Sequence, residues 1–193
     1  MAAGYDRVVS RRPCIAVAGD GTAAPGSPHW RAAEELGAAL VEAGFRVVTG
    51  GLGGVMEAAC LGARRARAYR EGDTVALLPG HDAGAANPHA DVVLPTGLAH
   101  ARNALVAHAD ALVAVGGGAG TLSEIAMAWT HRRLVIAFRL PGWSGRVADT
   151  PLDERPRFAR LAGDRVFGVD SAAEAVAVLA EHLHAYLSAG AAP

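Results

Sequence analysis

One unit recurs along this sequence: an apolar run of about five residues, a glycine-rich turn, then a stretch with the apolar spacing of a helix. Cys14-Ile15-Ala16-Val17-Ala18 precedes Gly19-Asp20-Gly21-Thr22. Phe45 to Thr49 precedes Gly50-Gly51-Leu52-Gly53-Gly54, and Ala111 to Val115 precedes Gly116-Gly117-Gly118-Ala119-Gly120. Short apolar runs bounded by turn residues read as strands buried on both faces, and the helical stretches read as crossovers. Alternating strands and helices build right-handed βαβ units, so the expected fold is α/β: a single-domain parallel sheet of about six or seven strands with helices on both faces. Ligands in such sheets bind beyond the carboxyl ends of the strands, near the switch in strand order. Every glycine turn lies at such an end, so loops far apart in sequence can converge on one cleft.

The remaining elements follow from the same grammar. Ser27 is placed to cap a helix from Pro28 to Ala43 that ends at Gly44, and a second helix runs from about Val55 to Arg70. Strands are expected at 74–78, 91–94, 134–138 and 166–167. Helices are expected at 98–109 and 121–130, with a last one capped by Ser171 and reaching about Leu187. Residues 79–90 form a loop long enough to cover a site, and residues 140–160, with Pro141, Pro151 and Pro156, are expected to wrap an edge irregularly. The domain then spans 13–187, with a flexible extension at 1–12 and a frayed tail at 188–193.

Composition removes several functions. None of the 18 basic residues is lysine, which excludes a Walker A loop and ordinary pyridoxal phosphate chemistry, since each needs one. A formal net charge of -1 with scattered charges gives no footprint for nucleic acid. No apolar run approaches the ~18 residues that span a bilayer, and Arg7, Arg11 and Arg12 are followed by no apolar block, so a cytoplasmic protein is expected, without membrane partners. Two widely separated cysteines, Cys14 and Cys60, suggest neither a disulfide framework nor a metal site.

Glycine loops followed by helix N-termini suit an anion, because backbone N–H groups approach it closely and the helix dipole favours negative charge. The candidate phosphate-binding residues are Gly19, Gly21, Thr22, Gly50, Gly51, Gly53, Gly54, Gly117, Gly118, Gly120 and Thr121. The alternative is that these glycines serve only tight, close-packed turns. Glu124 also has two readings: a catalytic carboxylate, or the last residue of a capping box Thr121-Leu122-Ser123-Glu124 that folds back on its own helix. On the helix 98–109, Arg102 falls within the apolar stripe Leu98, Ala101, Leu105 and Ala109, and sits early, where the dipole disfavours a cation. A bound phosphate answers both objections through a bidentate guanidinium contact; an ion pair with Glu124 is the alternative. Asn103 is placed to orient a ligand hydroxyl or to cap locally. A dinucleotide fingerprint after the first strand and a nucleophile elbow around Ser123 are both missing, and the spacing of His81 and His89 matches no metal site. No metal is required.

Arg102-Asn103, Asp110 and Gly117-Gly118-Ala119-Gly120-Thr121-Leu122-Ser123-Glu124 together resemble the LOG-like (SLOG) superfamily of Rossmann-type proteins, whose signature is PGGxGTxxE with an upstream arginine helix. Thr49 to Met56 looks like its second phosphate-loop motif, and the resemblance covers roughly residues 13–180. The superfamily's older label, lysine decarboxylase-like, is contradicted by the missing lysine. The resemblance implies a phosphorylated small-molecule ligand and a homodimer. In the LONELY GUY branch the residues matching Arg102 and Glu124 release base and ribose 5-phosphate from a nucleoside 5'-monophosphate. A second branch resembles molybdenum cofactor carriers, which bind that phosphorylated pterin without cleaving it. Gly116 in place of the signature proline, and Asn103 in place of the lysine found in the hydrolases, are more similar to the carrier branch. A hydrolase acting on a nucleoside monophosphate, a carrier of the molybdenum cofactor and a nucleotide-sensing module are the three functions expected.

Overall fold

The computed structural model describes residues 11–158 and 161–190. Seven strands form one sheet: β1 (Cys14–Gly19), β2 (Arg46–Thr49), β3 (Thr74–Leu78), β4 (Val92–Pro95), β5 (Ala111–Val115), β6 (Leu134–Phe138) and β7 (Phe167–Val169). All neighbours pair in parallel, in the order β4-β3-β2-β1-β5-β6-β7. The chain winds outward from β1 to β4, then crosses back to β5 on the other side of β1. That reversal between β1 and β5 is the switch point.

Alternation along each strand divides the core into two layers. In β5, Ala111, Val113 and Val115 pack with α1 (Pro28–Glu42), α2 (Val55–Arg65) and α6 (Ala172–Gly190). Leu112 and Ala114 face α3 (Asn103–Ala107), α4 (Ala119–Thr130) and α5 (Trp143–Val147). Both faces of the central strands are covered, so each strand is apolar at consecutive positions rather than at alternate ones. The α1 and α2 helices lie close because two glycines meet the partner's backbone. A Cβ on Gly37 would strike Ala59 O, and one on Gly62 would strike Glu34 O, well inside van der Waals contact. Among the described residues, no helix is long and apolar enough to cross a membrane.

Local signals held where caps carry them. Ser27 Oγ accepts from Trp30 N at 3.3 Å, and Ser171 Oγ accepts from Glu174 N at 3.2 Å. Other expectations are corrected. The expected helix 98–109 is a 3-10 turn, Ala99–Arg102, running into the five-residue α3. Its buried face is Arg102, Asn103, Val106 and Ala107, whereas Leu98 and Leu105 of the expected stripe are exposed. The helix α2 stops at Arg65, five residues early, and residues 140–160 contain α5. At the chain ends, most of the extension 1–12 and the tail 191–193 lie outside the described residues. Arg11 and Arg12 are docked, on Asp110 and Asp73, and α6 continues through 188–190.

Candidate functional site

Three glycine turns meet at the switch point. The turn after β1 touches the other two: Asp20 N donates to Val115 O at the end of β5, and Val55 N donates to Asp20 O from the start of α2. Thr121 Oγ1 donates to Gly19 O at 3.1 Å, which ties α4 to β1. These contacts divide the glycines by role. Gly19 packs on Val115 and Val55, Gly51 on Ala76 and Leu78, Gly54 on the Asp20-Gly21 backbone, and Gly117 under Thr121. At those four, the close-packed-turn reading describes what the residue does. Gly118 and Gly120 have open space where a Cβ would point, and Gly21 and Gly53 meet neighbours only at 3.6 Å and 3.7 Å. At those four, a side chain would meet little or nothing of the protein. Thr22 is engaged locally, its N–H and Oγ1 both donating to Asp20 Oδ1, and these bonds hold the Asp20 carboxyl below its usual range.

The helix α4 starts earlier than its sequence suggested. Its N-cap is Gly118, and the first intrahelical bond runs from Leu122 N to Gly118 O. The N–H groups ahead of that bond have no acceptor within the helix and open onto the glycine cradle. Glu124 therefore lies in the second turn, facing inward, and the capping-box reading is corrected: among the described residues, no side-chain hydrogen bond caps α4.

Glu124 instead meets Arg102. Their closest approach, Nη1 to Oε1, is 3.3 Å, with the two residues 6% and 7% exposed. The guanidinium rests on Gly50, where an added Cβ would stand 2.5 Å from Nη1, and its buried Nε has no hydrogen-bond partner. Burial lowers the Arg102 pKa, with Glu124 opposing. Burial also pushes the Glu124 carboxyl up to about 7, against the pull of the Arg102 charge. The ion pair with Glu124, the alternative reading of Arg102, is thus present, and it leaves the guanidinium Nε unpartnered among the described residues where the three glycine turns meet.

A pH dependence of stability follows. Because the folded pKa of Glu124 exceeds the ordinary 4.5, the folded chain binds the extra proton between about pH 4.5 and 7. The stabilisation is complete below the lower value and lost as pH rises through the upper one. A fall of roughly 3 kcal/mol across that window is expected from a shift of this size. Urea unfolding at a series of pH values should show it in the wild type and not in Glu124→Gln.

Several supports have no strong sequence signal. Asn87, in the 79–90 loop, donates from its backbone to Gly51 O at 2.8 Å and from Nδ2 to Gly51 O and Leu52 O, so this buried side chain fixes the β2 turn. The one local hint was the Asn87-Pro88 pair, a turn signal. Ser144, on the missed α5, accepts from Gly116 N and donates to Phe138 O, both at 2.7 Å. Asn103 donates to Ser123 Oγ at 2.8 Å and thereby holds α3 against α4 rather than presenting its amide to the cleft. Gly116 has φ +63°, which proline cannot adopt, and the His29 ring fills the space a Cβ would take. His29 Nε2 lies 2.8 Å from Pro141 O, and since a carbonyl only accepts, that nitrogen carries the proton. The departure from the signature proline is thus built into the local packing. His81 packs on Gly97, and no group of three or more His, Cys, Asp or Glu could hold a metal among the described residues.

Gly50→Ala perturbs the Arg102 seat. Its backbone does not take the left-handed conformation, so the added methyl acts by displacing the guanidinium and the Met56 thioether, both within 3 Å of it. Phosphate-ligand affinity should fall roughly tenfold, about 1.4 kcal/mol, in a calorimetric titration.

The sequence model of the SLOG cluster4 family matches residues 12–174, which include every loop described above. The chain belongs to that family. Among solved structures, this SLOG protein is similar to the molybdenum cofactor binding protein of Rippkaea orientalis, with 29% identity, a TM-score of 0.72, and coverage of 89% of this chain and 97% of that one. The molybdenum cofactor carrier protein of Chlamydomonas reinhardtii is 29% identical, with a TM-score of 0.70 over 90% and 99% of the two chains. An uncharacterised protein of Archaeoglobus fulgidus is 41% identical over 113 residues, 58% of this chain and 72% of its own. DNA processing protein A of Streptococcus pneumoniae shares the SLOG protein's fold, with a TM-score of 0.60 over 88% of this chain and 62% of that one. At 20% identity that likeness is one of fold and carries nothing about nucleic acid.

Proposed function

We propose that the protein binds a phosphorylated, nucleotide-like small molecule and holds it without cleavage, and that the ligand is the molybdenum cofactor, a phosphorylated pterin. The observation that carries the phosphate is Arg102: a buried guanidinium whose Nε is unpartnered and whose one carboxylate contact is long and monodentate. A phosphate would take two parallel N–H bonds from its fork and further N–H groups from the start of α4. Gly118 and Gly120 leave room for that approach, and Gly21 and Gly53 complete the cradle. The pterin assignment is supported by two relatives named for this cofactor, each aligned over nearly its whole length.

A second reading has its own support. Glu124, buried in the second turn of α4 with its carboxyl near neutrality, is suited to N-glycosidic cleavage of a nucleoside 5'-monophosphate. There the carboxylate would stabilise the developing oxocarbenium ion and orient water for attack at C1', and the base would leave with the bonding electrons. One experiment separates the readings. The protein is incubated with a panel of nucleoside 5'-monophosphates and, separately, with the molybdenum cofactor. The carrier reading expects no free base by chromatography and pterin fluorescence co-eluting with the protein on gel filtration. Release of free base, abolished in Glu124→Gln, would replace it with the hydrolase.

A further inference from the structure

We propose that the site takes up its phosphate together with a proton, and that Glu124 is the group that receives it. The proposal rests on the phosphate reading above and adds to it how the site accommodates a second anion beside a buried carboxylate.

Glu124 depends on Arg102 for its charge. Among the described residues, the only hydrogen bond to its carboxylate comes from Nη1, at 3.3 Å, and Glu124 lies beyond the first turn whose N–H groups are free. Two of the neighbouring charged or titratable groups are engaged locally: Asp20 holds Thr22, and His29 is bonded to Pro141 O. Glu57 places its carboxylate beside Gly53, on the α2 side of the site and away from the Arg102–Glu124 pair. On the α3 side, Asn103 is engaged by Ser123, and His100 is exposed. Among the described residues, then, one guanidinium is bonded to one carboxylate, with no further cation bonded to either.

A phosphate monoester brings up to two negative charges to the same guanidinium. Two anions sharing one buried cation repel, and the weaker acid responds by taking a proton. Glu124 is already poised near neutrality, so this costs less than holding both charges. Protonated, its O–H can donate to a phosphate oxygen, and the repulsion becomes a hydrogen bond. The balance is simple: phosphate dianion, ionised Glu124 and one proton from solvent give a bound dianion beside a neutral carboxyl. The competing site for that proton is the phosphate itself, whose second pKa is about 6.

Calorimetric titration of the wild-type protein with inorganic phosphate and with adenosine 5'-monophosphate, in buffers of different ionisation enthalpy at about pH 8, reads the coupling directly. Observed enthalpy should vary linearly with buffer ionisation enthalpy, with a slope approaching one proton taken up per ligand. Affinity should fall roughly tenfold per pH unit above neutrality. In Glu124→Gln the slope should collapse while binding persists. A flat dependence in the wild type overturns the coupling and leaves the phosphate reading intact. An undiminished slope in Glu124→Gln overturns the assignment to Glu124 and places the proton elsewhere, on the phosphate or another carboxylate of the site. Failure of both probes to give heat or a thermal shift overturns the phosphate reading and the coupling with it.

Discussion

Arg102→Ala is expected to weaken binding of a phosphorylated ligand by roughly a hundredfold, about 3 kcal/mol, because truncating one partner of a buried charge pair costs in that range. Two things are lost together. The ligand loses its bidentate donor, and Glu124 loses the one cation that draws its carboxyl down from the value burial alone would impose. The pKa of Glu124 should therefore rise further, and the stability loss with increasing pH should extend to higher pH than in the wild type. Calorimetry reads the first effect, and thermal melts across a pH series read the second. Arg102→Lys is the informative control: it retains the charge and loses the fork, so recovery of more than about half the lost free energy would mean charge rather than bidentate geometry holds the ligand.

The largest effect on stability is expected away from the site, at Gly62→Val. A Cβ there meets the Glu34 carbonyl, a backbone atom that can yield only if α1 and α2 separate. Overpacking of this kind costs about 1–3 kcal/mol and at times more, and the gain in helix propensity over glycine offsets less than about 1 kcal/mol of it. A net loss of about 1–3 kcal/mol would lower the melting midpoint by roughly 2–8 °C for a chain of this size. Because the loops after β1 and β2 sit at the ends of these two helices, ligand affinity should fall with it. Gly120→Ala is the matched control, since nothing lies within 4 Å of its added carbon. Its melting midpoint should stay unchanged or rise; a fall comparable to that of Gly62→Val would refute the packing argument.

How far the site was legible depends on the range over which each signal acts. The strands β5 and β6 begin and end where their apolar runs do, because a strand buried on both faces must be apolar throughout. Ser27 and Ser171 cap as expected, since a cap is decided within four residues. Arg102 was found for a reason only partly right. The side chain is buried, yet the helical stripe that singled it out is not the buried face, because the segment is a 3-10 turn joined to a short helix. Asn87 and Ser144 were missed because each acts by bonding a loop remote in sequence, from a segment read as covering loop or irregular edge.

Glu124 marks the boundary between the two kinds of information. The sequence by itself determined that glycine turns end three parallel strands and that an acid follows the last of them, because turn chemistry and apolar periodicity are local. It left that acid between a cap and a site. Only the tertiary structure removed the cap, by starting α4 at Ala119 under Gly118 and so turning Glu124 inward to pair with Arg102. The physical reason is that helix phase at a glycine-rich start is fixed by what the loop packs against. Here those contacts are Trp143 N on Gly117 O and Ser144 on Gly116 N, contributed from beyond β6.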